Sequence, residues 1–259
     1  MNGIEGVDHS IIGVGNLEIA RIVWQRLGFT LTPRGRHIGW GTANYCIMFE
    51  HDYIELLGVV DPTQPLNGLD HFLERRQGLL TLAFGTANAQ VLHSDLQEIG
   101  IATETPKALS RKLELPKGPV EPRFSLLHLP EAVTPGLKTF AVQHLTPELL
   151  RKPEWLIHPN DAAEVISYTL ICPNADEASR IWKKLFPKSA AKNVVTLGKT
   201  EIAFKEGTSP RLSDMTVRVR NLDQIQKILD RSKIHYSYGK NSLTIAPDDA
   251  AGVGLCFAV

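Results

Sequence analysis

A short strand, an asparagine and an amphipathic helix recur four times along the chain, and this repeat limits the fold more than any other feature. The first copy is Gly6-Val7-Asp8-His9-Ser10-Ile11-Ile12-Gly13-Val14-Gly15-Asn16. An apolar-faced helix, Leu17 to Leu27, and a Gly28-Phe29 turn follow it. Placing Asn88 on Asn16 puts Gly100 on Gly28 and Ile101 on Phe29 without a gap. Placing Asn174 on Asn16 puts Trp182 on Trp24 and Leu185 on Leu27. The fourth copy is weaker, with Asn221-Leu222 on Asn16-Leu17 and Arg231 on Arg26. The position of His9 is held by Thr81, Ser167 and Asp214 in the other copies. The scaffold repeats and its histidine does not, which directs the search for function to the first copy.

Alternating or apolar segments after each helix predict further strands. In the first copy these are Phe29 to Pro33, Trp40 to Phe49 and Asp52 to Val60. In the second they are harder to place: Ile101 to Leu115 leads into a Gly-Pro loop, then Arg123 to Leu129 and Lys138 to Leu145. A connecting helix is expected over Leu69 to Arg76. The third copy ends with Val194 to Leu197 and Glu201 to Lys205, the fourth with Ser242 to Ala246 and Val253 to Val259. Thr146 to Asn160, with Pro147, Pro153 and Pro159, reads as a linker with a short helix opening at Pro147. The expected organisation is a first domain, 1–146, built from units 1–60 and 78–145. A linker, 147–160, and a second domain, 161–259, built from units 163–206 and 212–259, follow.

Charge narrows the function. Lys+Arg and Asp+Glu are equal at 28 each, so the basic face that nucleic-acid binding needs is not expected. No apolar run approaches the roughly 18 residues of a membrane span. Met1 to Glu5 lacks the basic and apolar regions of a signal peptide, so a cytoplasmic protein is expected. Cys46, Cys172 and Cys256 are far apart, each in an apolar stretch, and read as buried free thiols. No phosphate loop, dinucleotide fingerprint or nucleophile elbow occurs in suitable context.

The stretch Asp8 to Asn16, the Leu27-Gly28-Phe29 turn, His37-Ile38-Gly39-Trp40-Gly41-Thr42-Ala43-Asn44 and Tyr53-Ile54-Glu55-Leu56-Leu57 resemble the glyoxalase-like domain family. That family lies in the vicinal oxygen chelate superfamily, with glyoxalases, bleomycin-resistance proteins and extradiol dioxygenases. The resemblance is clear from residue 7 to about 150 and beyond that follows from the repeat alone. It implies an α+β fold in which four βαβββ units form two paired, cup-like curved mixed sheets with flanking helices.

The resemblance also implies a site on the concave face, with metal ligands from the first and last strands of each unit. These positions hold His9, Glu55 and His144, while Thr81 departs from the histidine that many relatives carry. Two histidines and a carboxylate suit a divalent metal (Fe, Mn, Ni, Co or Zn). Taken singly, His9 reads more readily as a hydrogen-bonded core or cleft histidine, Glu55 can be the partner of Arg34 or Arg123 instead of a metal, and His144 can be a prop for the start of the linker. Trp40, Thr42 and Asn44 share a strand face by parity, either stacking on and hydrogen-bonding a substrate or packing locally. His37 is a loop residue or a general base, and Arg123 a carboxylate binder or an exposed edge residue. The C-terminal half reads as a degenerate copy without a ligand set. The expectation is a metal-dependent isomerase, lyase or dioxygenase acting on a small oxygen-rich molecule in the N-terminal cup. The alternative is a metal-free small-molecule binding or resistance protein using the same cup, and either can form a homodimer.

Overall fold

The computed structural model describes residues 3–187, 189 and 191–259. The first unit comprises β1 (Gly6–Val14), α1 (Leu17–Arg26), β2 (Gly35–His37), β3 (Thr42–Met48) and β4 (Tyr53–Val59). Beyond α2 (Leu69–Leu73), the second comprises β5 (Gly78–Gly85), α3 (Ala89–Glu98), β6 (Lys107–Leu113), β7 (Arg123–Leu129) and β8 (Thr139–His144). Among the described residues the third has one strand fewer: β9 (Ala162–Cys172), α4 (Ala175–Leu185), β10 (Val194–Leu197) and β11 (Thr200–Glu206). The fourth is β12 (Arg211–Val219), α5 (Leu222–Ser232), β13 (Ser237–Tyr238), β14 (Ser242–Ile245) and β15 (Gly254–Ala258).

The four asparagines that align the repeats start their helices for one reason. Each side chain accepts a hydrogen bond from a backbone N–H in the first turn: Ile19 on Asn16, Gln90 and Val91 on Asn88, Glu177 on Asn174 and Asp223 on Asn221. That satisfies donors a helix start leaves orphaned. The aligned tryptophans, Trp24 and Trp182, are both fully buried beneath their helices.

The first eight strands close into a barrel in the order β1-β4-β3-β2-β6-β7-β8-β5, so the cup has joined edges. Its two units meet along β1 and β5, antiparallel over most of both strands, and again where β2 pairs β6. The last seven strands form a sheet in the order β10-β11-β9-β12-β15-β14-β13. Phe29 to Pro33 forms no strand. Thr32 exchanges single bonds with Cys46, and Pro33 has no N–H to extend the ladder. The strand that completes the unit is β2, further on. The expected linker carries two short 3-10 turns, Pro147–Leu149 and Pro153–Trp155.

A bulge recurs in every unit. Between the pairs Val7–Phe84 and His9–Ala83, β1 has one extra residue, Asp8, and β5 has Leu80 at its own equivalent place. In the other sheet the extra residues are Ile166 in β9 and Ser213 in β12, again the repeat equivalents of Asp8. A bulge re-aims the side chain it adds. The first unit alone fills it with a carboxylate.

One apolar core runs from Val7 to Phe257 through both halves. Phe84 meets Trp182 edge-on at 6.0 Å. Polar groups cross the same joint: His158 receives the Thr30 N–H at 3.1 Å and lies 2.9 Å from the Met48 carbonyl, and Asp52 accepts the Val165 N–H at 3.0 Å.

Candidate active site

The barrel encloses a cavity of about 1180 Å³. Its floor is polar and carries His9, His37, Asn44, Glu55 and Arg111, while Ile11, Leu57, Leu80, Leu126 and Phe140 contribute to apolar walls. Strand alternation explains the floor, because His9 and Ile11 on β1 and Glu55 and Leu57 on β4 point inward.

His9 is 4% exposed and held by Tyr53 and Asp8. Its ring stacks on Tyr53 with centroids 4.3 Å apart. Nδ1 lies 2.6 Å from Asp8 Oδ1, within reach because the bulge turns that carboxylate toward its neighbour. His144 Nε2 lies 3.0 Å from Asp8 Oδ2. Burial works against the charge on Asp8, but the hydrogen bonds from His144 and His9 outweigh it and hold the carboxyl well below the usual carboxylate range. An ionised carboxylate only accepts, so both rings donate to it, and His9 keeps Nε2 as its free nitrogen.

That nitrogen faces Glu55 Oε2 at 3.6 Å. Glu55 Oε1 accepts from Asn44 Nδ2 at 2.6 Å and has His37 Nε2 3.8 Å away. Burial opposes the charge on Glu55 too. The charge interactions with His9, His37 and Arg111, with the Asn44 bond, still lower its pKa. For His37, burial and Arg111 together outweigh Glu55 and lower the pKa. Arg111, 3% exposed, donates to Cys46 Sγ at 3.2 Å. Among the described residues, its Nε and Nη2 and Asn44 Oδ1 are buried without partners. Such orphaned groups are costly unless something else occupies the space.

Of the residues singled out from sequence, His37, Trp40, Thr42 and Asn44 line the cavity with His9 and Glu55. His37 lies on β2 with Nδ1 2.9 Å from Thr42 Oγ1, and Trp40 stands in a bend just before β3. Arg123 is exposed at the start of β7, outside the cavity wall. The buried cation there is Arg111, which the loosely placed stretch Ile101 to Leu115 concealed. Asp8 was also missed, because a residue flanking a histidine in a strand is expected on the opposite face unless a bulge intervenes. His144 lies outside the cavity wall and meets Asp8. The register explains this: Ile11 pairs Glu55 as Ala83 pairs Phe140, so Phe140 is the counterpart of Glu55.

These positions bear on a metal. A zinc-type ion sits about 2.0–2.2 Å from its nitrogen and oxygen ligands, so the gap between His9 Nε2 and Glu55 Oε2 can be shared by one ion. A third ligand does not converge on it. His144 is engaged with Asp8, and the Thr81 hydroxyl donates to the Lys138 carbonyl. Among the described residues, no group of three or more His, Cys, Asp or Glu side chains is placed to hold a metal ion. The arrangement is two imidazoles flanking one carboxylate, short of a three-ligand site.

A family model described as glyoxalase-like domain matches residues 7–186. The chain belongs to the glyoxalase-like domain family. The match runs from β1 through α4, past the barrel into the second sheet. No curated protein matches the sequence. Among solved structures, a hypothetical protein from Staphylococcus aureus is similar with a TM-score of 0.73 at 15% identity, covering 97% of this chain and 98% of that one. The Mn(II)-bound glyoxalase from Novosphingobium aromaticivorans gives 0.61 at 12% identity over 99% and 82%. The 2,3-dioxygenase LapB from Pseudomonas sp. KL28 gives 0.59 at 15% identity over 100% and 93%. At these identities the likeness is one of fold. Among the described residues, no helix is long and apolar enough to cross a membrane.

Proposed function

We propose that this glyoxalase-like chain is an enzyme that moves protons on an oxygen-bearing small molecule bound in the barrel, in isomerase or lyase chemistry. The observation that carries this is the imidazole of His9, tied to Asp8 through Nδ1 and presenting Nε2 to the cavity. A base needs this arrangement: a buried carboxylate sets tautomer and orientation, and the opposite nitrogen takes the proton. Glu55, flanked by His9 and His37, is placed to receive or return it. The two unpartnered nitrogens of Arg111 supply donors for an oxygen that gains charge as the neighbouring carbon loses its proton.

A second reading rests on the same carboxylate. The Nε2 atoms of His9 and His37 both face it, so a divalent ion with water or substrate completing its shell would be held by His9 and Glu55. It would act there as a Lewis acid.

Both readings are tested with a panel of 2-oxo acids, hydroxyketones and dicarbonyls. Exchange of the proton next to the carbonyl is followed in D₂O by NMR, with elemental analysis of the protein alongside. Exchange by the parent chain that His9→Gln abolishes is the expected result. If activity appears only with added Fe, Mn, Ni, Co or Zn, the second reading replaces the first. Ligands that bind equally to parent and His9→Gln, with no exchange under any metal condition, refute both and leave a binding or resistance protein.

A further inference from the structure

The exposed and half-buried cations of the cavity lining, Arg75, Arg76, Lys107, Lys138 and Arg211, mark its mouth, and Glu131 is the one exposed carboxylate among the described lining residues. Lys107 is engaged by Glu104 at 2.6 Å. Among the described residues, Arg75, Arg76, Lys138 and Arg211 have no carboxylate within ion-pairing distance. The remaining contacts of the arginines are neutral. Arg76 donates to the Leu79 carbonyl at 2.9 Å and lies over the Phe72 ring at 4.6 Å, and Arg211 donates to the Ser209 carbonyl at 3.2 Å.

These side chains come from distant parts of the chain. Arg75 and Arg76 follow α2, between the first two units, and Arg211 opens β12 in the fourth unit. They are close enough that, after burial, the charges of Arg211 and Arg75 lower the pKa of Arg76. A fold that gathers like charges without acids raises its own energy, and a bound anion relieves it. The volume adds a second constraint. At about 1180 Å³ the cavity exceeds the roughly 300–1,000 Å³ typical of pockets for drug-sized ligands, far more than a three-carbon dicarbonyl fills.

We infer that the ligand is an amphiphile: an anionic group bound at the mouth by Arg75, Arg76 and Arg211, an apolar body along the Leu-rich walls, and an oxygen-bearing carbon at the His9–Glu55 floor. This deepens the enzymatic reading and rests on it for the last of these three parts. The C-terminal half thereby joins the site, because Arg211 closes the mouth from across the joint. Carboxylates and phosphates share the required chemistry, and guanidinium groups bind either through paired N–H donors.

The test is calorimetric titration of the full chain with octanoate, octyl phosphate, octan-1-ol, acetate and inorganic phosphate. Octanoate or octyl phosphate binding more tightly than octan-1-ol, and than the short anions, is expected. The tighter of the two assigns the head group as carboxylate or phosphate. The double variant Arg76→Gln/Arg211→Gln weakens anion binding at least tenfold and leaves octan-1-ol unchanged. Arg75→Gln, on an exposed side chain whose loss leaves the fold intact, weakens it in the same direction. Octan-1-ol binding as tightly as the anions overturns the inference, as does anion affinity indifferent to all three substitutions and to added salt. Binding of octanoate to His9→Gln separates the two readings. If proton exchange fails in every variant while arginine-dependent anion binding persists, the mouth subsite stands and the enzymatic reading falls.

Discussion

Asp52 offers a measurable consequence of the joint between the halves. Its carboxyl is 6% exposed, with Oδ2 accepting the Val165 N–H and Oδ1 without a partner among the described residues. Burial, together with the charge of Glu164, pushes its pKa from 3.8 up to about 7. Folding therefore favours the protonated form. The contribution is fully present below about pH 3.8 and is lost as pH rises toward 7. A gap of about 3 pH units, at 1.36 kcal/mol each, is worth about 4 kcal/mol. Asp52→Asn keeps an oxygen for the Val165 N–H and removes the charge. It is expected to stabilise the protein above pH 7 by about that amount and to match the parent near pH 4. Urea unfolding of both proteins across this range reads the difference directly. Other groups titrate in the same window, notably His158, whose pKa burial lowers, but they do so in both proteins and cancel in the comparison. Parallel stability curves for parent and variant would refute the reasoning.

Three further outcomes follow from the geometry. Asp8 has a lowered pKa, so its contribution is present above pH 3.8 and lost as pH falls below it. Asp8→Asn is expected to flatten that acid limb in circular-dichroism titrations and to lower the rate of proton exchange at neutral pH. His158→Ala strands the Thr30 N–H and the Met48 carbonyl at the joint and is expected to cost about 2–4 kcal/mol in thermal or urea unfolding. A Cβ at Gly41 would lie 2.0 Å from the Asp61 backbone oxygen. Gly41→Ala must therefore shift the cavity wall at Trp40 and Thr42, at roughly 2–3 kcal/mol, with a changed Trp40 fluorescence.

The framework was legible in the sequence because it rests on short-range rules. Asn16, Asn88, Asn174 and Asn221 mark helix starts by local hydrogen bonding, and Trp24 and Trp182 mark equivalent buried faces. The inward parity of His9 and Glu55 follows from strand alternation. What escaped depends on pairing. Asp8 turns toward His9 through a bulge that exists only in the register of β1 with β5. Arg111 reaches the floor because β6 pairs β2, whose residues lie more than seventy positions earlier. His158 and Asp52 find their partners across the joint, more than a hundred positions away. His144 shares parity with the inward Phe140 and Val142, and parity alone does not tell how far along the strand the floor lies.

The barrel's two seams are unequal. Along β1 and β5 the units are stitched from Gly6 to Gly13, whereas β2 pairs β6 over Gly35, Arg36 and His37, with one further backbone bond at each end, Glu114 N–H to the Arg34 carbonyl and Ile38 N–H to the Ser110 carbonyl. Mechanically this is a book: a long spine on one side and a small clasp on the other. His9 lies on the spine, and His37 and Arg111 face each other across the clasp. Unfastening that clasp moves two floor residues apart while the Asp8–His9 pair stays in place. Assembly of the floor thus depends on this short pairing, and amide exchange at Ile38, whose N–H donates to the Ser110 carbonyl, reports its opening.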